Sequence, residues 1–180
     1  MRLYYAPGTC SLAPHIIVRE AGLDVARIAV CGNSAGAHLV AHSLSGERAE
    51  RWPISGAALV SGLYDLRPLE ALSPHDWLRL DAARYAALSP QLADRVPAVP
   101  LQVSVGGLES DAFKAQSMTY ANEIRARGAA VDFVEVPGVH HFSIAETFAD
   151  PDSMIGAALC RWISGGNRGG SGGASRGGSI

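Results

Sequence analysis

The stretch that decides the fold is Gly32-Asn33-Ser34-Ala35-Gly36, a G-x-S-x-G element that directly follows an apolar run at 28–31. The run predicts a buried strand, and residues 37–43 after the element predict a helix. Ser34 then lies at the tip of a sharp strand-to-helix turn, where small residues at Gly32 and Gly36 let the strand and the helix approach closely. Ser34 is therefore the first candidate for a nucleophile. The alternative is a small-residue corner that merely carries a serine.

Length, charge and cysteine content exclude several classes of protein. The 180 residues fit one domain, and 15 basic against 17 acidic residues give a net charge of −2 without long runs of either sign. We therefore expect no nucleic-acid partner and no membrane partner. Cys10, Cys31 and Cys160 show no C-x-x-C spacing, and no signal peptide or membrane span is evident. These features predict a cytoplasmic protein and are compatible with a homodimer.

Strand and helix patterns alternate along the chain. Strands are predicted at residues 2–6, 27–31, 54–60, 101–105 and 131–136, and helices at 11–21, 37–43, 111–127 and 155–163. Prolines punctuate residues 68–100, which we interpret as a cap insertion. Such alternation predicts a parallel sheet with helices on its faces and functional groups beyond the carboxyl ends of the strands.

A serine hydroxyl needs an imidazole to accept its proton and a carboxylate to orient that imidazole. The chain offers these groups beyond two further predicted strands, in the order Ser, acid, His. Glu109 is the preferred acid because it lies nearer the end of the predicted strand. Asp111 is the alternative, although it also suits the first turn of a helix. His141, beside the bulky Phe142, is the preferred base. The backbone amide of Ala35 is the predicted oxyanion donor.

We expect no metal and no organic cofactor. His38 and His42 are spaced i, i+4 on the predicted helix after Ser34, but neither an intervening glutamate nor a third ligand accompanies them.

Several longer motifs carry a family resemblance over residues 24–163. They are Ala26-Arg27-Ile28-Ala29-Val30-Cys31 leading into the G-x-S-x-G element, Ser61-Gly62-Leu63-Tyr64-Asp65-Leu66, Val105-Gly106-Gly107-Leu108-Glu109-Ser110-Asp111-Ala112-Phe113 with Gln116-Ser117, and Val136-Pro137-Gly138-Val139-His140-His141-Phe142. This part of the chain resembles the α/β-hydrolase superfamily and, within it, the arylformamidase (kynurenine formamidase)-like branch. The resemblance implies a Ser34, Glu109 and His141 triad that hydrolyses small esters or N-formyl aryl amides. It also implies a His-Gly-Gly oxyanion loop, which this sequence lacks, so activity is expected to be impaired.

Residues 1–22 resemble a different family, the beta-class glutathione S-transferases of bacteria. The run Leu3-Tyr4-Tyr5-Ala6-Pro7-Gly8-Thr9-Cys10-Ser11-Leu12-Ala13-Pro14-His15 carries the resemblance, which implies that Cys10 lies by glutathione. We therefore expect a fusion of three parts: a glutathione-transferase-like βα segment at 1–23, the C-terminal part of an α/β-hydrolase domain at 24–163, and a disordered Gly/Ser-rich tail at 164–180. A right-handed crossover would pair the first strand in parallel beside the strand before Ser34, and the amides of Gly8 or Thr9 would then approach the missing oxyanion donor.

The predicted fold is thus a truncated α/β-hydrolase-type parallel sheet with flanking helices and an N-terminal βα unit of different origin. Three functions remain open. The first is a serine hydrolase of small-molecule esters or amides, the second is a catalytically inactive remnant or interaction module, and the third is a glutathione-binding fragment.

Overall fold

A five-stranded sheet forms the centre of the computed structural model, which describes residues 15–17, 28–47, 49, 53–72 and 75–165. The strands are β1 His15–Ile17, β2 Ile28–Asn33, β3 Ile54–Val60, β4 Leu101–Gly106 and β5 Val131–Val136. They lie side by side in chain order, and β2 to β5 run parallel. The predicted parallel sheet is therefore confirmed.

The predicted helix at residues 11–21 is wrong where the structure describes it. His15–Ile17 is a strand that pairs antiparallel with β2, with Ile16 opposite Val30. Two β-branched isoleucines favour an extended backbone. The pairing also covers the edge of β2, whose N–H and C=O groups would otherwise lack strand partners on that side. The predicted parallel crossover is also wrong, because β1 occupies the edge of β2 at which the crossover strand would pair. The predicted strand at 2–6 lies outside the described residues.

Helices cover both faces of the sheet, as predicted. The main helices are α1 Ala35–Leu44, α4 Asp111–Ala126 and α5 Met154–Ser164. Successive strand residues point to opposite faces. Val30 accordingly packs in one core with side chains of α1 and α4, whereas its neighbours Ala29 and Cys31 pack in a second core with α5. The result is a three-layer helix-sheet-helix arrangement that fixes the ends of the strands.

The proline-rich segment predicted as a cap insertion consists of short helical pieces. These are 3-10 turns at Arg67–Ala71 and Pro90–Leu92 and the α-helices α2 His75–Leu78 and α3 Ala82–Ala87. Asp81 caps α3 by accepting a hydrogen bond from the backbone N–H of Arg84 at 2.8 Å. The hydroxyl of Ser89 accepts from the backbone N–H of Leu66 at 2.8 Å, which joins this segment to the loop after β3.

Two stacked tyrosines connect the loop after β3 to α4. The rings of Tyr64 and Tyr120 are nearly parallel, with centroids 4.1 Å apart, and both side chains are fully buried. Burial raises the pKa of each phenol above its ordinary value. The side-chain oxygen of Gln116 accepts the backbone N–H of Tyr64 at 2.5 Å and that of Asp65 at 3.2 Å, which fixes the same loop.

None of the helices in the described part of the chain has the length and apolar character that crossing a bilayer requires.

Candidate active site

The strand-turn-helix predicted around Ser34 is present. β2 ends at Asn33 and α1 begins at Ala35, with Ser34 between them at φ 56° and ψ −120°. Few residues other than glycine adopt a positive φ, and the strain costs about 1–3 kcal/mol. The backbone N–H of Ser34 donates to the carbonyl of Val60 at 2.8 Å and so ties the turn to β3. Neighbouring structure therefore helps to hold the serine at a sharp corner.

Gly32 makes that corner sterically feasible. A Cβ atom at Gly32 would lie 2.4 Å from both the carbonyl carbon and the carbonyl oxygen of Gly36. No real side chain tolerates such a distance to backbone atoms, so α1 could not approach β2 this closely with a larger residue. Gly32 therefore has the packing role that the sequence predicts.

Glu109 and His141 form a close pair beyond the ends of β4 and β5. The Nδ1 atom of His141 lies 2.7 Å from Oε2 of Glu109. The Glu109 side chain is 1% exposed and that of His141 is 25% exposed. The backbone N–H of Gly106 donates to the other carboxylate oxygen, Oε1, at 2.8 Å. Such an arrangement can hold one tautomer of the imidazole and stabilise its protonated form.

Asp111, the alternative acid, lies in a different environment. It is the first residue of α4, its side chain is fully exposed, and its Oδ1 atom is 3.5 Å from Nζ of Lys114. A carboxylate at that position stabilises the N-terminus of the helix. The structure thus brings Glu109, and not Asp111, into contact with His141.

The adjacent histidines have different contacts. The Nδ1 atom of His140 accepts the backbone N–H groups of Phe142 and Ser143, each at 3.2 Å, so this exposed ring stabilises its own turn. His141 is also linked to the nucleophile corner, because the side-chain amide of Asn33 donates to its carbonyl oxygen at 3.4 Å. Asn33 directly precedes Ser34. The imidazole paired with Glu109 therefore belongs to a loop that contacts the serine turn.

An open cleft of about 480 Å³ adjoins this pair. Leu108, Phe113 and Phe142 are apolar residues that line it, and the ring centroid of Phe113 lies 4.7 Å from that of His141. The Phe142 side chain is largely exposed. The cleft can therefore accept an apolar or aromatic group beside the imidazole.

The predicted oxyanion donor, Ala35, is the first residue of α1. The first amides of a helix have no acceptor within the helix, so they are suited to bind a developing negative charge. The additional donors considered at Gly8 and Thr9, as well as Cys10, lie outside the described residues.

Within the described part of the chain, no group of three or more His, Cys, Asp or Glu side chains could hold a metal ion. His38 contacts a carbonyl instead, with Nε2 2.9 Å from the oxygen of Leu88, and its ring stacks on that of His42 at 6.0 Å. Burial lowers the pKa of His38, the Leu88 carbonyl opposes this shift, and His42 adds to it.

Three polar residues around the site belong to the motifs quoted from the sequence but were assigned no role there. Ser61 contacts Glu109, Asn33 contacts the His141 loop, and Gln116 fixes the loop after β3. Asn33 is adjacent to the serine and Ser61 directly follows β3, so their positions at strand ends were the available signal. Their particular partners depend on tertiary packing.

Comparison with known proteins agrees with the arylformamidase-like resemblance. The chain is similar to the kynurenine formamidase of Danio rerio, with 32% identity over 142 residues, covering 74% of this chain and 48% of that protein. It is 34% identical to the kynurenine formamidase of Salmo salar over 143 residues, covering 74% and 49%. The chain thus spans about half the length of the curated relatives it matches. The resemblance of residues 1–22 to glutathione transferases stays a prediction.

A solved structure and a family model extend the comparison. A protein from Silicibacter sp. TM1040, for which a thioesterase function has been suggested, superposes with a TM-score of 0.65 at 32% identity, covering 72% of this chain and 49% of that one. The family model described as the alpha/beta hydrolase fold matches residues 9–144. That match, the parallel sheet between helices and the sharp serine turn lead to one conclusion: the chain belongs to the alpha/beta hydrolase fold family.

Proposed function

We propose that this chain is a serine hydrolase that cleaves small esters or N-formyl aryl amides by acyl transfer through Ser34, His141 and Glu109. The observation that carries the proposal is the contact between the buried Glu109 carboxylate and His141, whose loop contacts the residue before Ser34. The amide substrate class follows from the similarity to kynurenine formamidases. The apolar cleft beside His141 supports an aromatic group in the substrate.

In the proposed reaction, Oγ of Ser34 attacks the substrate carbonyl carbon while Nε2 of His141 accepts the hydroxyl proton. Glu109 keeps the Nδ1–H of His141 oriented and stabilises the imidazolium. As the carbonyl re-forms, the bond to the alcohol or amine breaks, and His141 returns its proton to that leaving group. Water then attacks the acyl-serine with the same base, which releases the acid and restores Ser34.

The negative charge of the tetrahedral intermediate requires donors. The amide of Ala35 is the donor that we propose, and the sequence has no His-Gly-Gly motif to supply another. Loss of one donor costs on the order of a hundredfold to a thousandfold in turnover. We therefore propose that the hydrolase activity is impaired. A second copy of the chain is one source of the absent oxyanion donor.

A catalytically inactive remnant is the second candidate. It is favoured by a specific observation, since the sequence has no His-Gly-Gly motif to supply a second oxyanion donor. An acyl-binding pocket depends on both sides of a cleft, so a buried Glu–His pair alone would not suffice for turnover.

Labelling with a fluorophosphonate distinguishes the two candidates. We expect the wild-type chain to be labelled and to hydrolyse a phenyl ester and N-formylaniline, and Ser34→Ala to do neither. Ser43→Ala is the matched control, because Ser43 is an exposed serine near the other end of α1. Wild-type labelling that persists in Ser34→Ala, or an absence of labelling throughout, would contradict the hydrolase proposal and favour the remnant.

A further inference from the structure

Ser61 directly follows β3 and is fully buried. Its φ of 51° lies in the region that residues other than glycine rarely adopt. Its backbone N–H donates to the carbonyl of Ser104 at 2.8 Å and continues the hydrogen bonding between β3 and β4. A strained, buried polar residue at a strand end is a candidate for a functional role.

The hydroxyl of Ser61 contacts the candidate acid. Its Oγ atom lies 2.5 Å from Oε1 of Glu109, and the backbone N–H of Gly106 reaches the same oxygen. Oε2 of Glu109 faces Nδ1 of His141. Two donors on one carboxylate oxygen fix the rotation of the carboxylate, so that its other oxygen remains directed at the imidazole.

This contact matters because Glu109 is almost completely buried. Within the described part of the chain, His141 is the basic side chain that pairs with it. A buried carboxylate without enough donors is costly to keep ionised. The hydroxyl of Ser61 supplies one of those donors.

We propose that Ser61 is a positioning residue, which orients Glu109 toward His141 through Oε1. The part of this inference that concerns turnover rests on the proposed function, whereas the orientation of the pair does not. Ser61 touches the acid and acts through it.

The strain at Ser61 permits a sharp test. Glycine adopts a positive φ without steric cost, so Ser61→Gly removes both the hydroxyl and the strain. If Ser61 only shaped the backbone, this variant would keep full function. If Ser61 positions Glu109, the variant folds but loses function. Ser104→Ala is the matched control, because it removes a buried hydroxyl with no hydrogen-bond partner among the described residues.

Three measurements apply to the full-length chain. We expect Ser61→Gly to unfold at about the same urea concentration as wild type, because relief of the backbone strain offsets the lost hydrogen bond. We expect its kcat on a phenyl ester to be about tenfold lower, with KM within twofold. We also expect the low-field proton resonance of His141 Nδ1–H to be lost or broadened. Ser104→Ala should retain both kcat and the resonance. Should Ser61→Gly fail to fold, Ser61→Ala takes its place in the same measurements.

A folded variant that keeps both the wild-type kcat and the wild-type resonance would overturn the inference. If the wild-type protein shows no Ser34-dependent turnover, that result contradicts the proposed function and not the inference about Ser61. In that case the resonance alone tests the inference, because the Glu109–His141 hydrogen bond can be measured independently of turnover. Loss of the resonance in Ser61→Gly with its retention in Ser104→Ala supports the inference, and its retention in both refutes it.

Discussion

Two carboxylates two positions apart in the sequence, Glu109 and Asp111, differ in burial and in partner. Glu109 is buried against His141, whereas Asp111 is exposed near Lys114. We expect Glu109→Gln to lower the fluorophosphonate labelling rate by roughly three to four orders of magnitude, because a neutral amide cannot stabilise the imidazolium. Asp111→Asn should stay within about twofold of wild type. Labelling rates measure this even where turnover is slow, and an equal loss in Asp111→Asn would contradict the choice of acid.

The residue types and their positions at strand ends were sufficient to select the candidate side chains from the sequence. They did not show which of these side chains contact one another. The order of Ser34, Glu109 and His141 along the chain agrees with parallel strands whose carboxyl ends meet at one edge. Ser61 follows the pattern of an ordinary turn serine in the sequence. Its contact with Glu109 joins positions 48 residues apart, and only the packed sheet brings them together.

The serine turn, as an element, depends on close contact between β2 and α1. Gly32→Ala places a Cβ at 2.4 Å from backbone atoms of Gly36, so the turn must shift. We expect a loss of about 1–3 kcal/mol in the free energy of unfolding and a strong loss of Ser34 labelling. Urea denaturation and fluorophosphonate labelling measure the two effects.

Gly46→Ala is the control for this substitution, because a Cβ there meets its nearest atom at an ordinary 3.5 Å. We expect it to match wild type in both measurements. Wild-type behaviour of Gly32→Ala would show that the close approach is unnecessary.

Strands with a clear apolar pattern bounded by turn residues were the most predictable. The strands predicted at 54–60 and 131–136 have those bounds in the structure, and β4 extends the predicted strand at 101–105 by one residue. The helix predicted at 11–21 is wrong at residues 15–17, because these residues pair with the edge of β2. Edge pairing joins distant segments, so a local pattern does not reveal it.

The stability of the whole molecule should depend on pH through His38, which links α1 to the segment before β4. Burial lowers the pKa of His38 in the folded chain, so the unfolded chain binds a proton first as the pH falls below about 6.5. The contribution of His38 to the free energy of unfolding is therefore complete above that pH and declines as the pH falls below it. We expect wild type to lose more unfolding free energy between pH 7 and pH 5 than His38→Gln, whose amide can still donate to Leu88.

Urea denaturation at several pH values tests this, and the difference between wild type and His38→Gln separates His38 from the other histidines. Parallel pH profiles for the two proteins would show that protonation of His38 does not oppose folding.

The stacked pair Tyr64 and Tyr120 has an optical consequence for the molecule as a whole. Burial raises the pKa of both phenols, so we expect them to ionise in the folded chain only at a higher pH than a solvated phenol does. The near-ultraviolet absorbance of phenolate from these rings therefore emerges only when the packing between sheet and α4 opens. The chain thus contains an intrinsic chromophore that reports the integrity of its core without any added dye.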